Sequence, residues 1–289
     1  MKKQTIFRGA ATALITPFSG DEIDYASLGT LIDSQIRGGI DALVIAGTTG
    51  EAATLDDTER YSLFRFCTER IAGRVKLILG VGTNDTRTVL RHADAARACG
   101  CDGLLAVTPY YNRGTRSGVV KHFLALAEHC DLPIIVYNVP SRTGVDLTIE
   151  QLSELAMHER IVGIKEASDS IDKMAHLGLF SDSLDVYAGS DSGICETLSI
   201  GGKGVISVVS NLYPCEISEL CRRFFLGDVD GAFKIQRRLM PFIDAAFCET
   251  NPAPIKYAMS ISGYCKNELR LPLYPISQDN EARIRAAML

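Results

Sequence analysis

Ile161-Val162-Gly163-Ile164-Lys165-Glu166-Ala167-Ser168 is a short apolar run closed by an amine, an acid and small residues. Four apolar or small residues in succession read as a strand buried on both faces, and the run brings Lys165 to its carboxyl end. The same unit, apolar run then turn residues then helical stretch, recurs along the chain. The runs are 10–15, 42–46, 77–81, 104–107, 133–136, 161–164, 185–188 and 205–209. All are too short and too uniformly apolar for half-exposed antiparallel strands, and suit a parallel sheet covered by helices.

The segments between the runs carry helix signals. Asp56-Asp57-Thr58-Glu59 opens an apolar-periodic stretch, and Thr148-Ile149-Glu150-Gln151 has the capping-box form. Gly38-Gly39, Gly73 and Gly100 stand where helices should stop. Eight strand–helix units predict an α/β fold, a closed (β/α)8 TIM barrel. An open doubly wound sheet is the competing arrangement, but it would normally bring Gly-x-Gly-x-x-Gly after its first strand. Here that strand ends in Thr16-Pro17-Phe18-Ser19-Gly20. After the eighth run come three further helical stretches, about 230–248, 252–263 and 279–289. The expected organisation is a catalytic barrel over 1–227 and a three-helix C-terminal region over 228–289.

Composition narrows the function. The 289 residues are 46% hydrophobic with a formal net charge of −5 and no basic block, which argues against nucleic acid or anionic membrane as partners. No apolar run approaches the length of a membrane span. Met1-Lys2-Lys3 resembles the start of a signal, but Arg8 interrupts the segment where an apolar core should follow. The nine cysteines are odd in number and contain no Cys-x-x-Cys pair, and most lie in apolar helical patterns, as Cys67 does. They read as reduced core residues of a cytoplasmic protein.

In a barrel of this kind the active site lies at the carboxyl ends of the strands, so the residues after each run are the candidates. Gly47-Thr48-Thr49-Gly50-Glu51 offers backbone N–H groups and hydroxyls that can hold a carboxylate, though it also fits an ordinary glycine turn. Thr108-Pro109-Tyr110-Tyr111-Asn112 brings two tyrosines. Tyr137-Asn138-Val139-Pro140-Ser141-Arg142-Thr143-Gly144 brings a phenol that can relay protons and a guanidinium that can clamp a carboxylate, or simply be solvated. Then come Lys165, Gly189-Ser190-Asp191-Ser192-Gly193 and Ser207-Val208-Val209-Ser210-Asn211. A lysine at a strand end is ordinarily solvated. Buried, it loses hydration, its pKa falls, and the neutral amine becomes a nucleophile for a ketone or aldehyde. One amine, a phenol, hydroxyls and a guanidinium at the strand tips together suit a Schiff base with an oxo-acid.

Other chemistries lack their parts. The five histidines, His92, His122, His129, His158 and His176, all fall in predicted helices and none has metal-ligand spacing. There is no Gly-x-Ser-x-Gly elbow and no Walker loop. Gly201-Gly202-Lys203-Gly204 precedes its strand, so Lys203 marks a helix end. Lys256 lies in the C-terminal helices and is the weaker nucleophile candidate.

The segments at 47–51, 108–113, 137–144, 163–167 and 204–207, with Asn251-Pro252, occur in an order that resembles the 4-hydroxy-tetrahydrodipicolinate (dihydrodipicolinate) synthase family of pyruvate-dependent class I aldolases and lyases. The resemblance covers nearly the whole chain, and Tyr137–Gly144 is its sharpest part. It implies that Lys165 forms an imine with pyruvate and that Tyr137 relays protons, linked through Thr48 to Tyr111. It implies that Tyr111 reaches into the site of a neighbouring subunit, in a homotetramer built as a dimer of dimers. Thr48 and Thr49 would hold the pyruvate carboxylate, Arg142 would bind the carboxylate of L-aspartate 4-semialdehyde, and Gly189 and Ile206 would line the pocket. The implied product is 4-hydroxy-tetrahydrodipicolinate, on the way to diaminopimelate and lysine, with no metal or organic cofactor. Two alternatives remain at this stage: a sister lyase acting on a sialic acid or a 2-keto-3-deoxy sugar acid, and a barrel retired to a regulatory role. Arg142 favours the synthase, because it prepares a site for a carboxylate rather than a polyol. Lysine-inhibited members carry a histidine and a glutamate where this chain has Arg60 and Thr88, although Asn84 matches, so weak or absent lysine feedback is expected. Whether Glu51 does chemistry or pins its loop is left open by the sequence.

Overall fold

The computed structural model describes residues 3–168, 170–180 and 182–289. Met1 and Lys2, part of the charged segment compared with a signal, lie outside the described residues. In chain order come β1 (Gly9–Ala13), β2 (Phe18–Ser19), β3 (Glu22–Ile23), α1 (Tyr25–Arg37), β4 (Ala42–Ile45), α2 (Asp57–Ile71), β5 (Lys76–Gly80) and α3 (Thr86–Cys99). There follow β6 (Gly103–Val107), α4 (Arg116–His129), β7 (Ile134–Asn138), α5 (Pro140–Thr143), α6 (Ile149–Ala156), β8 (Ile161–Glu166), α7 (Ile171–Leu177) and β9 (Asp185–Ala188). The chain ends with α8 (Ile194–Ser199), β10 (Gly204–Ser207), α9 (Pro214–Phe225), α10 (Val229–Ala246), α11 (Ala253–Ile261) and α12 (Gln278–Ala287).

Eight of the strands, β1 and β4 through β10, are parallel and close on themselves, because β1 pairs with both β4 and β10. All eight sequence-predicted runs are barrel strands, and the open-sheet alternative falls with the closure. The capping boxes at Asp56/Glu59 and Thr148/Gln151 form as read, and Gly100 ends α3 in the left-handed region. Two features differ from the sequence reading. The short hairpin β2–β3 was unforeseen, and His158 lies in the turn after α6 rather than in a helix. Among the described residues no helix is long and apolar enough to cross a membrane.

The strands separate two apolar layers. Ile134 and Val136 of β7 pack outward under the helices, while Ile135 and Tyr137 join the barrel interior. On β8 this alternation is broken once. Ile161 packs outward and Val162 inward, yet Ile164 is again outward. The register with β7 slips at this point, from Ile134↔Ile161 to Ile135↔Gly163. A bulge of one residue reverses every side chain beyond it. Strict alternation from Ile161 would have sent Lys165 out toward the helices; the bulge turns it into the barrel. Gly163 fits there because a Cβ would stand 2.9 Å from the Asp185 carbonyl oxygen.

Candidate active site

Beyond the bulge, Tyr137 and Lys165 are Cα partners on β7 and β8, both facing inward. Lys165 is 4% exposed, and its Nζ lies 4.3 Å from the centre of the Tyr137 ring. Burial pulls the Lys165 pKa down from 10.5 to about 8; the Asp191 carboxylate works against this, and the Arg142 guanidinium adds to it. Burial pushes the Tyr137 phenol up to about 12, against Arg142 and a hydrogen bond with the Thr48 side chain, and with Glu166 pushing the same way. At neutral pH the phenol therefore keeps its proton, while the amine beside it loses its own far more readily than a solvated lysine.

These groups line a cavity of about 210 Å³ at the carboxyl end of the barrel, together with Thr48, Thr49, Arg142 and Gly189. Gly189 has no room for a side chain: a Cβ would lie 2.6 Å from the Glu166 carbonyl oxygen. Ile206 is expected from the resemblance to contribute its backbone to the pocket. It packs in the barrel interior, and Val208, two residues on, lines the cavity. Tyr111 is not brought to Lys165 at all. It is 89% exposed, on a left-handed backbone turn with φ 69°, and is absent from the cavity wall.

The loop after β4 is held from several sides. The amides of Gly50 and Ala52 donate to the Gly47 carbonyl (3.1 and 3.3 Å), and that of Glu51 to Thr48 (3.1 Å). These bonds commit three of the loop's N–H groups to the turn itself. The Thr49 hydroxyl accepts from Asn251 Nδ2 (3.0 Å), and the Asn251 carbonyl accepts from Arg142 (3.2 Å). Glu51 is buried and ion-paired with Lys256, and it accepts the Arg270 N–H (3.0 Å). It therefore anchors the loop, and it is not on the wall of the cavity that holds Lys165.

Asp191, which the sequence shows only as part of a loop, acts on the Lys165 amine through its charge without lining the cavity. It is buried, and burial raises its pKa. The Ser207 hydroxyl and the amides of Val208 (3.0 Å) and Val209 (3.3 Å) donate to it. The only sequence signal was an acid among small residues at a strand tip.

A larger cavity, about 460 Å³, adjoins the first and shares Thr48, Tyr137 and Arg142 with it. Arg60 and Thr88 are on its wall. Arg60 is buried and donates to the Ala52 (2.6 Å) and Gly80 (3.2 Å) carbonyls. Thr88 caps onto Asp85 through its amide and hydroxyl. Among the described residues, no three His, Cys, Asp or Glu side chains converge as metal ligands would.

Comparison with known proteins places the chain among relatives of one family. The model of the dihydrodipicolinate synthetase family matches residues 6–288. The 4-hydroxy-tetrahydrodipicolinate synthase of Alkaliphilus oremlandii (strain OhILAs) is 42% identical over 284 residues, covering 98% of each chain. The enzyme of that name from Thermotoga neapolitana is 44% identical over 278 residues, covering 94% of this chain and 95% of its own. The crystal structure of the dihydrodipicolinate synthase of Thermotoga maritima superposes with a TM-score of 0.95 at 40% identity, covering 98% of both chains. The chain belongs to the dihydrodipicolinate synthetase family.

Proposed function

We infer that the protein is a lyase that condenses pyruvate with L-aspartate 4-semialdehyde to give 4-hydroxy-tetrahydrodipicolinate, in lysine biosynthesis. The observation that carries this reading is the buried Lys165 amine, its pKa lowered to about 8, set against the Tyr137 ring inside a barrel of this family. The neutral Nζ adds to the keto carbon of pyruvate, and loss of water gives the imine. A methyl proton leaves, and the resulting enamine carbon bonds to the aldehyde carbon. The substrate's own amine then attacks the imine carbon, which closes the ring and frees Lys165. The reacting imine is made from the substrate and Lys165, so the reading calls for no metal or organic cofactor.

Tyr137 supplies and recovers protons at the carbinolamine and at the new hydroxyl, with Thr48 as its hydrogen-bond partner. Thr48 and Thr49 take the pyruvate carboxylate. Arg142, exposed at the mouth, takes the carboxylate of the aldehyde. Gly189 and the chain around Ile206 and Val208 shape the wall. Residues 1–227 act as the catalytic unit, and 228–289 brace its mouth through Asn251 and Lys256. Tyr111, turned away from its own cavity, suits a role in the site of a second copy, within a homotetramer. Nine free thiols suit the cytoplasm.

A substrate panel tests the reading: turnover of pyruvate with aspartate semialdehyde is expected, and turnover of an amino sugar in its place would overturn it. In that assay Tyr137→Phe is expected to lower kcat by roughly 10²- to 10³-fold, the range of a lost proton-transfer group. The KM for pyruvate should change little. Added lysine is expected to inhibit weakly or not at all, because Thr88 stands where a carboxylate would pair with the effector's ammonium and Arg60 adds a guanidinium that repels it. A dose-dependent fall in rate at low lysine would contradict this.

A further inference from the structure

Directly behind the reacting pair lies a second, buried pair. Asn138 and Glu166 are the next Cα partners after Tyr137 and Lys165 on β7 and β8, and they face outward. The Glu166 side chain is wholly buried, yet it is surrounded by donors. Asn138 Nδ2 donates to both carboxylate oxygens (2.9 and 3.1 Å), the Ser168 N–H donates to Oε1 (2.8 Å), and Lys173 Nζ lies 3.4 Å from Oε2. Asn138 Nδ2 also donates to Asp146 Oδ1 (2.8 Å), and Asn138 Oδ1 accepts the Leu147 N–H (3.1 Å). Both amide hydrogens and the amide oxygen of Asn138 are thus engaged, which leaves its rotamer no freedom. Lys173, on α7 and 8% exposed, sits between Glu166 and Asp146 and is ion-paired with both.

We propose that Lys173, Glu166 and Asn138 are positioning residues for the reaction, a buried clamp that fixes the ends of β7 and β8 so that Tyr137 and Lys165 stay aimed at one another. The proposal rests on the assignment of those two residues as the reacting pair. Its physical basis is alternation. In a strand, rotation that moves an outward side chain moves its inward neighbour as well, so locking residue 166 locks residue 165. The bulge at Gly163 makes such a lock necessary, because bulged strands bend and twist more than regular ones. Lys173 keeps the clamp closed, since Glu166 without its cation is a buried charge held by neutral donors alone and is drawn toward water. The clamp also reaches the site electrically: the Glu166 carboxylate raises the proton affinity of Tyr137.

The test uses the full chain carrying Lys173→Met, Lys173→Arg or, separately, the near-isosteric Glu166→Gln, each checked for fold by circular dichroism. Pyruvate trapping with borohydride is timed alongside steady-state kinetics. Lys173→Met and Glu166→Gln are expected to lower kcat and the trapping rate together, by roughly 10- to 100-fold, the scale of a misplacement near 1 Å. The KM for pyruvate should stay nearly constant, because the Thr48–Thr49 loop is untouched. Lys173→Arg, which keeps the cation, is expected to restore most of kcat. A Glu166→Gln protein with kcat unchanged, or Lys173→Met and Lys173→Arg equally impaired, would overturn the clamp. Failure to trap pyruvate on Lys165 in the unsubstituted protein would instead remove the reading on which the clamp rests.

Discussion

Lys165→Ala is expected to lose the pyruvate adduct completely and to lower kcat/KM by on the order of 10³-fold or more, as removal of a covalent nucleophile does elsewhere. Among the described residues no other lysine lines the cavity that holds Lys165. Lys256 is fully buried and ion-paired with Glu51, and Lys173 sits outside the barrel wall between two carboxylates. The size of the effect follows from the environment of Lys165. A lysine at its ordinary pKa of 10.5 is neutral in about one molecule in 3,000 at pH 7, whereas one at about 8 is neutral in about one in ten. The rate of imine formation should therefore rise with pH and level off above about 8. Stability carries the opposite mark of the same shift. The folded pKa lies below the unfolded one, so the unfolded chain binds more protons between about pH 8 and 10.5. Folding is consequently penalised below about pH 8, and the penalty fades as pH rises through that window. Lys165→Met, which fills the space without the amine, is expected to be inactive yet more stable than the parent at neutral pH, measured by urea unfolding. Equal or lower stability would argue that the amine is not desolvated.

Lys256→Met is expected to be the most destabilising single change at the barrel mouth, by about 3–5 kcal/mol, the usual cost of breaking a buried ion pair from one side. Both side chains of the Lys256–Glu51 pair are 0% exposed. Lys256 Nζ also donates to the Glu268 carbonyl (2.8 Å) and lies 4.2 Å from the centre of the Phe18 ring. Without the amine, Glu51 keeps the Arg270 N–H but no cation of its own. The loop that carries Thr48 and Thr49 then loses its anchor, so the KM for pyruvate should rise in whatever fraction stays folded. Adding Glu51→Gln removes the stranded charge and should recover part of the loss, a coupling that a double-mutant cycle in urea measures directly. A cost below about 1 kcal/mol for Lys256→Met would mean that the pair is hydrated after all.

The barrel was legible because its evidence is local. Uniformly apolar runs such as 42–46 and 104–107 need no partner to be read as buried strands, and the caps at Asp56 and Thr148 lie within four residues of the groups they bind. What could not be read depends on register or on distant contacts. Nothing in Ile161-Val162-Gly163-Ile164 announces the bulge that turns Lys165 inward, since four apolar side chains suit either face. The Glu51–Lys256 pair joins a loop after the second barrel strand to the C-terminal helices, and burial of both partners decides its meaning. Asp191 looked like one polar residue among several until the Ser207 hydroxyl and two amides were found to converge on it. The hairpin of Phe18–Ser19 with Glu22–Ile23 is too short to show periodicity, and it is held by packing of Phe18 under Lys256 and Arg270.

The most direct measurement is the intact mass and peptide map of the protein reduced with borohydride in the presence of pyruvate at about pH 8. A single 1-carboxyethyl group per chain, on the nitrogen of Lys165, is the predicted result. An unmodified chain, or a label on Lys256 or on surface lysines with Lys165 untouched, would contradict the account.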